Sequence, residues 1–283
     1  MPLTFLSHQA PVLPLKLRWP RHVDGTALVI GSMVPDLLFV IHGTDNGVDS
    51  HGVLAQLWVC GPLAIVLTII TKRVVAGVLG PHLPARGPFA LFGLRAYGRL
   101  SAWTVPRSID RWAILVTSAL VGCYSHLVLD SFTHNWGYAA ELLGLSGIVV
   151  WVPPVWISTS RPLYLTDLLQ VGFSAAGIAI VLVQLRLIAR RRLLETSYPD
   201  VEPLRPTPAS RRVLWRVTLA ATAAGLVSSF VPGLGGGHHD HLFRSVDAAF
   251  VGLVLGSLLA RPKMVGPATT TARARVPVGS RRS

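Results

Sequence analysis

Residues 112–137 read WAILVTSALVGCYSHLVLDSFTHNWG. The first twenty are apolar enough to cross ~30 Å of hydrocarbon as one helix. Yet His126, Asp130 and His134 follow one another at intervals of four residues. An aspartate at the centre of a span costs about 2.5–3.5 kcal/mol on insertion scales, so a span that keeps one needs a partner or a metal to offset it. On a helix, His126 and Asp130 project from one face about one turn apart. Imidazole nitrogen and carboxylate oxygen suit zinc, and also manganese or iron. The plainer alternative is that the two side chains bond each other or polar groups of a neighbouring helix. His134, a third rung, lies ~12 Å from His126 along an unbroken helix. One ion reaches both histidines only if the helix breaks near Thr133, where Asn135 and Gly137 follow; two ions bridged by Asp130 also satisfy the spacing.

The whole chain supports a membrane setting. Of its 283 residues, 51% are hydrophobic and 14% charged, against about 25% charged in a soluble domain, and its mean hydropathy is +0.52. It is basic, with 26 Lys plus Arg against 13 Asp plus Glu. In so apolar a chain those cations read as topology signals, and no nucleic-acid partner is expected. Apolar segments recur at roughly 26–42, 53–71, 112–131, 164–185, 213–232 and 245–260. The fold class expected is therefore all-α, a polytopic integral membrane helical bundle with about six membrane segments, embedded in the lipid bilayer. Cys60 and Cys123 lie inside apolar segments with no metal-ligand spacing and read as small core residues. No cleavable leader is evident at the N-terminus.

Charge sets the expected orientation. Segments 71–111 and 186–216 and the tail after 260 hold most of the arginines and lysines. Six alternating spans put all three on one side with Lys16, Arg18 and Arg21, which the positive-inside rule makes cytoplasmic. The protein is accordingly expected in the cell membrane, multi-pass, with its C-terminus inside. Asp36, Asp45, Asp49, His51, His126, Asp130, His134, Glu141, Asp167 and the 238–241 stretch HHDH then gather at the extracytoplasmic face. Residues 83–103 mix arginines with aromatics, as a helix on an anionic leaflet would. The proline-rich, tryptophan-rich stretch 147–157 reads as an interfacial loop or short helix. Four regions result: a membrane domain 1–190, a linker 191–212, a helix pair 213–260 and a disordered basic tail 261–283.

Five motifs occur in order: TFLSHQAPVLPL, ALVIGSMVPD, DSHG, SHLVLDSFTHNWG and LLQVGFSAAG. Together, over roughly residues 1–190, they resemble the DUF4184 family of bacterial membrane proteins. More widely they are similar to membrane-bound metal-dependent hydrolases of the YdjM type, a group likened to the all-helical zinc-dependent phospholipases C. Carried over residue by residue, the resemblance implies His8, Asp36, His51, His126, Asp130 and His134 as metal ligands. Many relatives read T-H-S where this chain has Asp49-Ser50-His51. His8 raises a conflict, because six simple spans place it across the membrane from the other five. Either it is an ordinary polar residue, or residues 26–42 do not fully cross.

The function these readings imply is a divalent-metal site, zinc foremost, in a hydrolase of phosphoester or lipid-borne ester substrates. There the ion would acidify a water and polarise a substrate oxygen. No nucleophile elbow and no phosphate-binding loop offers a metal-free route. A non-catalytic scaffold with a structural His/Asp cluster is the alternative, and an ion or proton transporter a third reading. Neither the substrate nor the oligomeric state is legible in the residues.

Overall fold

The computed structural model describes residues 4–38, 49–151, 162–228, 230 and 240–266. It is an all-α bundle whose one sheet among the described residues is a two-stranded hairpin, Val149–Trp151 against Leu163–Tyr164. That strand occupies the start of the stretch read as an interfacial loop or helix; residues 152–157 of it lie outside the described residues. Among the described residues, four helices are long and apolar enough to cross a membrane: Val53–His82, Ile109–Leu142 with a break after Thr133, Leu165–Arg190 and Arg244–Lys263.

The expected six spans are not all found among the described residues. Residues 26–38 do not form one continuous helix. Gly25–Gly31 is a helix capped by Asp24, whose carboxylate accepts from the Thr26 and Ala27 amides, and Val34–Leu37 is a separate short turn begun by Pro35. Proline at the first turn starts a helix but cannot continue one. The described part of the apolar run 213–232 belongs to the helix Pro208–Ser228, which carries Arg211, Arg212 and Arg216 in its first nine positions, and the run continues outside the described residues.

Burial along the long helices is inverted relative to a soluble bundle. The buried positions of Leu165–Arg190 are Thr166, Asp167, Gln170, Ser174, Gly177, Val181 and Gln184, a stripe of mostly polar and small residues at helical spacing. Its exposed positions include Leu168, Val171, Phe173, Ile180 and Val183. Lipid tails offer no hydrophobic drive between helices, so polar bonds and close approach of small residues hold such a bundle together. Gln184 accordingly donates to the Ala10 carbonyl, and Gly177 lies where a Cβ would meet Ser7 at 2.5 Å.

The packing that positions the site joins Gly25–Gly31 to Ile109–Thr133. The Asp24 amide donates to Ser118 Oγ, the Leu28 carbonyl faces Gly122, and the Ser32 carbonyl accepts from His126. These three pairs advance together along both chains, so the helices run parallel, from an end that holds Asp24 and Lys72 to an end that holds His126. The Thr4–Ser7 turn and the Leu13–Arg18 helix descend along Leu165–Arg190, and Gly25–Leu37 climbs back beside Ile109–Thr133. Residues 4–37 thus form a helical hairpin whose two arms bring His8 and Asp36 to the same end. His8 therefore lies at the same end of the bundle as the other five residues and is not separated from them.

One further expectation changes, and the reading of the cysteines holds. In 83–103, residues Leu94–Ala102 form a tight helix packed against the end of Val53–His82, with Gly98 and Leu100 buried. Its arginines bind protein carbonyls: Arg95 donates to Leu83, and Arg99 to Tyr198, Pro199 and Val201. Both cysteines are free and buried in the apolar core. The 238–239 histidines and the tail from 267 lie outside the described residues, and the side chains of Asp240 and His241 are not described.

Candidate metal centre

Three chain segments meet at one end of the bundle. Ile109–Thr133 presents His126 and Asp130 from one face, Val34–Leu37 supplies Asp36, and the turn before Val53 supplies His51. One donor atom from each lies within 4.8 Å of the other three. His126 Nε2 is 3.2 Å from Asp130 Oδ2, 3.5 Å from Asp36 Oδ1 and 3.4 Å from His51 Nε2. His51 Nε2 is 3.5 Å from Asp130 Oδ2 and 3.7 Å from Asp36 Oδ1. A tetrahedral ion with bonds of about 2.0–2.1 Å to nitrogen and oxygen keeps its ligands about 3.3 Å apart. Five of the six donor separations therefore match the edges of such a shell.

The outer partners hold each imidazole in the tautomer a metal needs. His126 Nδ1–H donates to the Ser32 carbonyl at 2.9 Å. Ser50 spends its hydroxyl hydrogen on the Pro35 carbonyl at 2.9 Å, so its Oγ accepts from His51 Nδ1–H at 3.1 Å. Both Nε2 lone pairs then face the centre. Asp49 Oδ1 accepts from the His51 amide, as an aspartate in a turn does. Burial lowers the proton affinity of the His51 imidazole, but the Asp130 and Asp36 carboxylates outweigh it and push the pKa up to about 9. That excess negative potential is what a divalent cation would neutralise. Ser50→Ala removes the acceptor for His51 Nδ1–H. It is expected to weaken metal binding about 10–100-fold, as read by competition with a chromophoric chelator.

His8 and His134 border the other oxygen of Asp130. His8 Nε2 is 3.4 Å and His134 Nδ1 3.7 Å from Asp130 Oδ1. The His8 ring stacks on His126 with centroids 4.0 Å apart. Burial, then the neighbouring His126, pushes its pKa down to about 4, which keeps it neutral. Asp130 Oδ1 and His8 Nδ1 are both buried without a hydrogen-bond partner. The helix ends at Thr133, so His134 folds back toward Asp130; its Nε2 accepts from Gln170 Nε2 at 3.1 Å. Trp136 closes the exposed side, edge-on to His51 at 6.0 Å. All six residues implied by the motifs are thus brought together, four as a compact donor set and two around it. Ser50, Gln170 and Trp136 were not assigned from the sequence. The signal for Gln170 was the polar stripe 166, 170, 174, 177, 181, 184, and for Ser50 its place beside His51.

The fold and this site define a helical protein with membrane-spanning segments and a His/Asp group able to hold a metal ion. The family model described as Domain of unknown function (DUF4184) matches residues 1–261, and the chain belongs to that family. The match extends some seventy residues beyond the motif region, through the Pro208–Ser228 and Asp240–Ala260 helices. No curated protein and no solved structure matches the chain.

Proposed function

We propose that the protein is a metal-dependent hydrolase whose divalent ion, zinc by donor chemistry, is held by Asp36, His51, His126 and Asp130 at the extracytoplasmic face. The observation that carries this reading is the gathering of two imidazole nitrogens and two carboxylate oxygens, from three separate segments, at tetrahedral edge distances. When bound, a divalent ion supplies Lewis-acid polarisation of a substrate oxygen and a more acidic water. The chain's own residues do the rest. The Ser32 carbonyl and Ser50 orient the two imidazoles, while His8 and His134 brace the second oxygen of Asp130. Trp136 screens the His51 side, the most accessible edge of the cluster. A phosphoester or other lipid-borne ester fits a site at the end of apolar helices, since its head can reach the cluster while its tail stays in the bilayer.

A second reading has its own support. Four protein donors fill a tetrahedral shell, as in structural zinc sites, whereas a hydrolytic zinc keeps one position open. A hydrolase here requires a fifth coordination position or a carboxylate that withdraws; a structural ion requires neither. Hydrolysis of phosphodiester and carboxylester lipid analogues by protein reconstituted with zinc separates the two. Activity abolished by chelation and by Asp130→Asn supports the hydrolase. A stoichiometric ion with no turnover on either ester class, together with loss of thermal stability on chelation, selects the structural role.

A further inference from the structure

The opposite end of the bundle holds a second polar site. Lys72 sits near the far end of Val53–His82, Arg111 at the start of Ile109–Thr133 and Leu185 near the end of Leu165–Arg190. Arg111 and His126 are fifteen residues apart on one helix, a separation of ~22 Å. Around these positions lies a cavity of about 450 Å³, within the range of small-molecule sites. Its ionisable lining is lopsided: Lys16, Arg21, Lys72 and Arg111 face a single carboxylate, Asp24.

Asp24 is already committed. One of its oxygens caps the Gly25–Gly31 helix, and the other takes the Lys72 ammonium in an ion pair whose lysine side chain is 6% exposed. Lys72 also lies over the Trp103 ring at 5.0 Å. Lys16 Nζ donates to the Pro20 and Val23 carbonyls, which are dipoles and not counter-charges. Burial, opposed by Asp24, lowers the Lys16 pKa, a sign that its charge is held there at a cost. Three cations thus converge on a partly enclosed space with no carboxylate left to neutralise them. Apolar walls are supplied by Leu13, Ile114, Leu185 and Ile188, and Tyr97, Tyr198, Thr26, Thr104 and Ser197 also line the cavity. The Leu193–Ser197 turn closes one side, tied back by Arg191 to the Leu17 carbonyl and by Arg99 to the Tyr198 carbonyl. The Val53–His82 helix also widens into π-helical turns at both polar sites, Gln56–Cys60 near the His/Asp cluster and Thr71–Ala76 around Lys72. Such turns are frequent at functional sites.

We propose that this cavity binds the phosphate-bearing headgroup of an anionic phospholipid, with Lys16, Arg21 and Arg111 on the phosphate and the apolar walls on the glycerol and first acyl carbons. Basic pockets between membrane helices recognise such headgroups through charge, while the adjoining hydrocarbon retains the chains. A free phosphate would gain the same charge contacts but leave the apolar walls without an occupant.

The test uses the full chain in nanodiscs containing phosphatidylglycerol and phosphatidylcholine with the same acyl chains. Lipid retained after transfer to neutral detergent is read by native mass spectrometry. The wild type is expected to retain the anionic lipid about tenfold or more over the zwitterionic one, and each cation removed to cost about fivefold. Arg21→Gln with Arg111→Gln removes two exposed rim cations and is expected to abolish the preference without changing metal content or melting temperature. Lys16→Gln is a second variant, scored only after its melting temperature is matched. Equal retention of both lipids, or a preference that survives the Arg21/Arg111 change, overturns the proposal. Thermal protection by inorganic phosphate equal to that by phosphatidylglycerol also overturns it, since the site would then take a free anion.

Discussion

Protein purified without chelators is expected to carry a stoichiometric divalent ion, and His126→Ala or Asp130→Ala to lower that content by at least about tenfold. Elemental analysis of matched preparations measures both. His126 is fully buried, and Asp130 is 2% exposed. Water therefore does not readily replace either donor, and removing one leaves the other ligands badly matched. Without His126, His51 alone still bridges the Asp36 and Asp130 carboxylates, so like charges face each other in a dry site. Without Asp130, two imidazoles and Asp36 remain, and His8 and His134 lose the oxygen they border. His134→Ala is expected to act more weakly, because both of its ring nitrogens already have protein partners. Unchanged metal in both the His126 and Asp130 variants, or a wild type that never takes up metal, would exclude the metal centre.

The second large effect belongs to a glycine remote from any donor atom. A Cβ at Gly122 would stand 2.4 Å from the Leu28 carbonyl and 2.8 Å from the Ser32 amide; one at Gly31 would stand 2.2 Å from the Ala119 carbonyl. All are backbone atoms that cannot rotate away, so Gly122→Leu must push the two parallel helices apart. Overpacking of this kind costs about 3 kcal/mol, which for a chain of this size corresponds to a fall of roughly 6–12 °C in melting temperature. The same displacement withdraws the Ser32 carbonyl from His126 Nδ1, so metal content should fall with stability. Gly172→Ala is the matched control. Nothing lies within 4 Å of its Cβ position, and alanine is favoured over glycine inside a helix by up to about 1 kcal/mol. A thermal melt that ranks Gly122→Leu no worse than Gly172→Ala would contradict the packing described for this helix pair.

Much of the centre was legible because its chemistry is local. His126 and Asp130 share one helix face by spacing alone, and Asn135 and Gly137 mark the break that lets His134 return toward Asp130. Asp36 and His51 could be placed near the same depth from the apolar pattern, but their meeting with His126 depends on the Asp49–Gly52 turn, whose Ser50 bonds the Pro35 carbonyl. His8 could not be placed at all by counting spans. Counting treats each apolar run as one crossing, and the chain instead broke residues 26–38 at Gly31 and Pro35 and folded residues 4–37 into a hairpin. The arginines of 83–103 misled for a related reason. Their spacing resembles a surface helix, yet the guanidinium groups are spent on the carbonyls of a non-helical linker.

By itself the sequence determined that the protein is an all-α chain with membrane-length apolar helices and that His126 and Asp130 share one helix face. Both follow from composition and from short-range periodicity, which need no knowledge of the path between helices. Only the tertiary structure decided that the first apolar run is broken, that His8 joins Asp130, and that Lys16, Arg21, Lys72 and Arg111 converge on one cavity. These depend on close approach at Gly31, Gly122 and Gly177 and on bonds between residues as far apart as Ala10 and Gln184. In a bilayer, where apolar surface has no preferred partner, such contacts choose the arrangement.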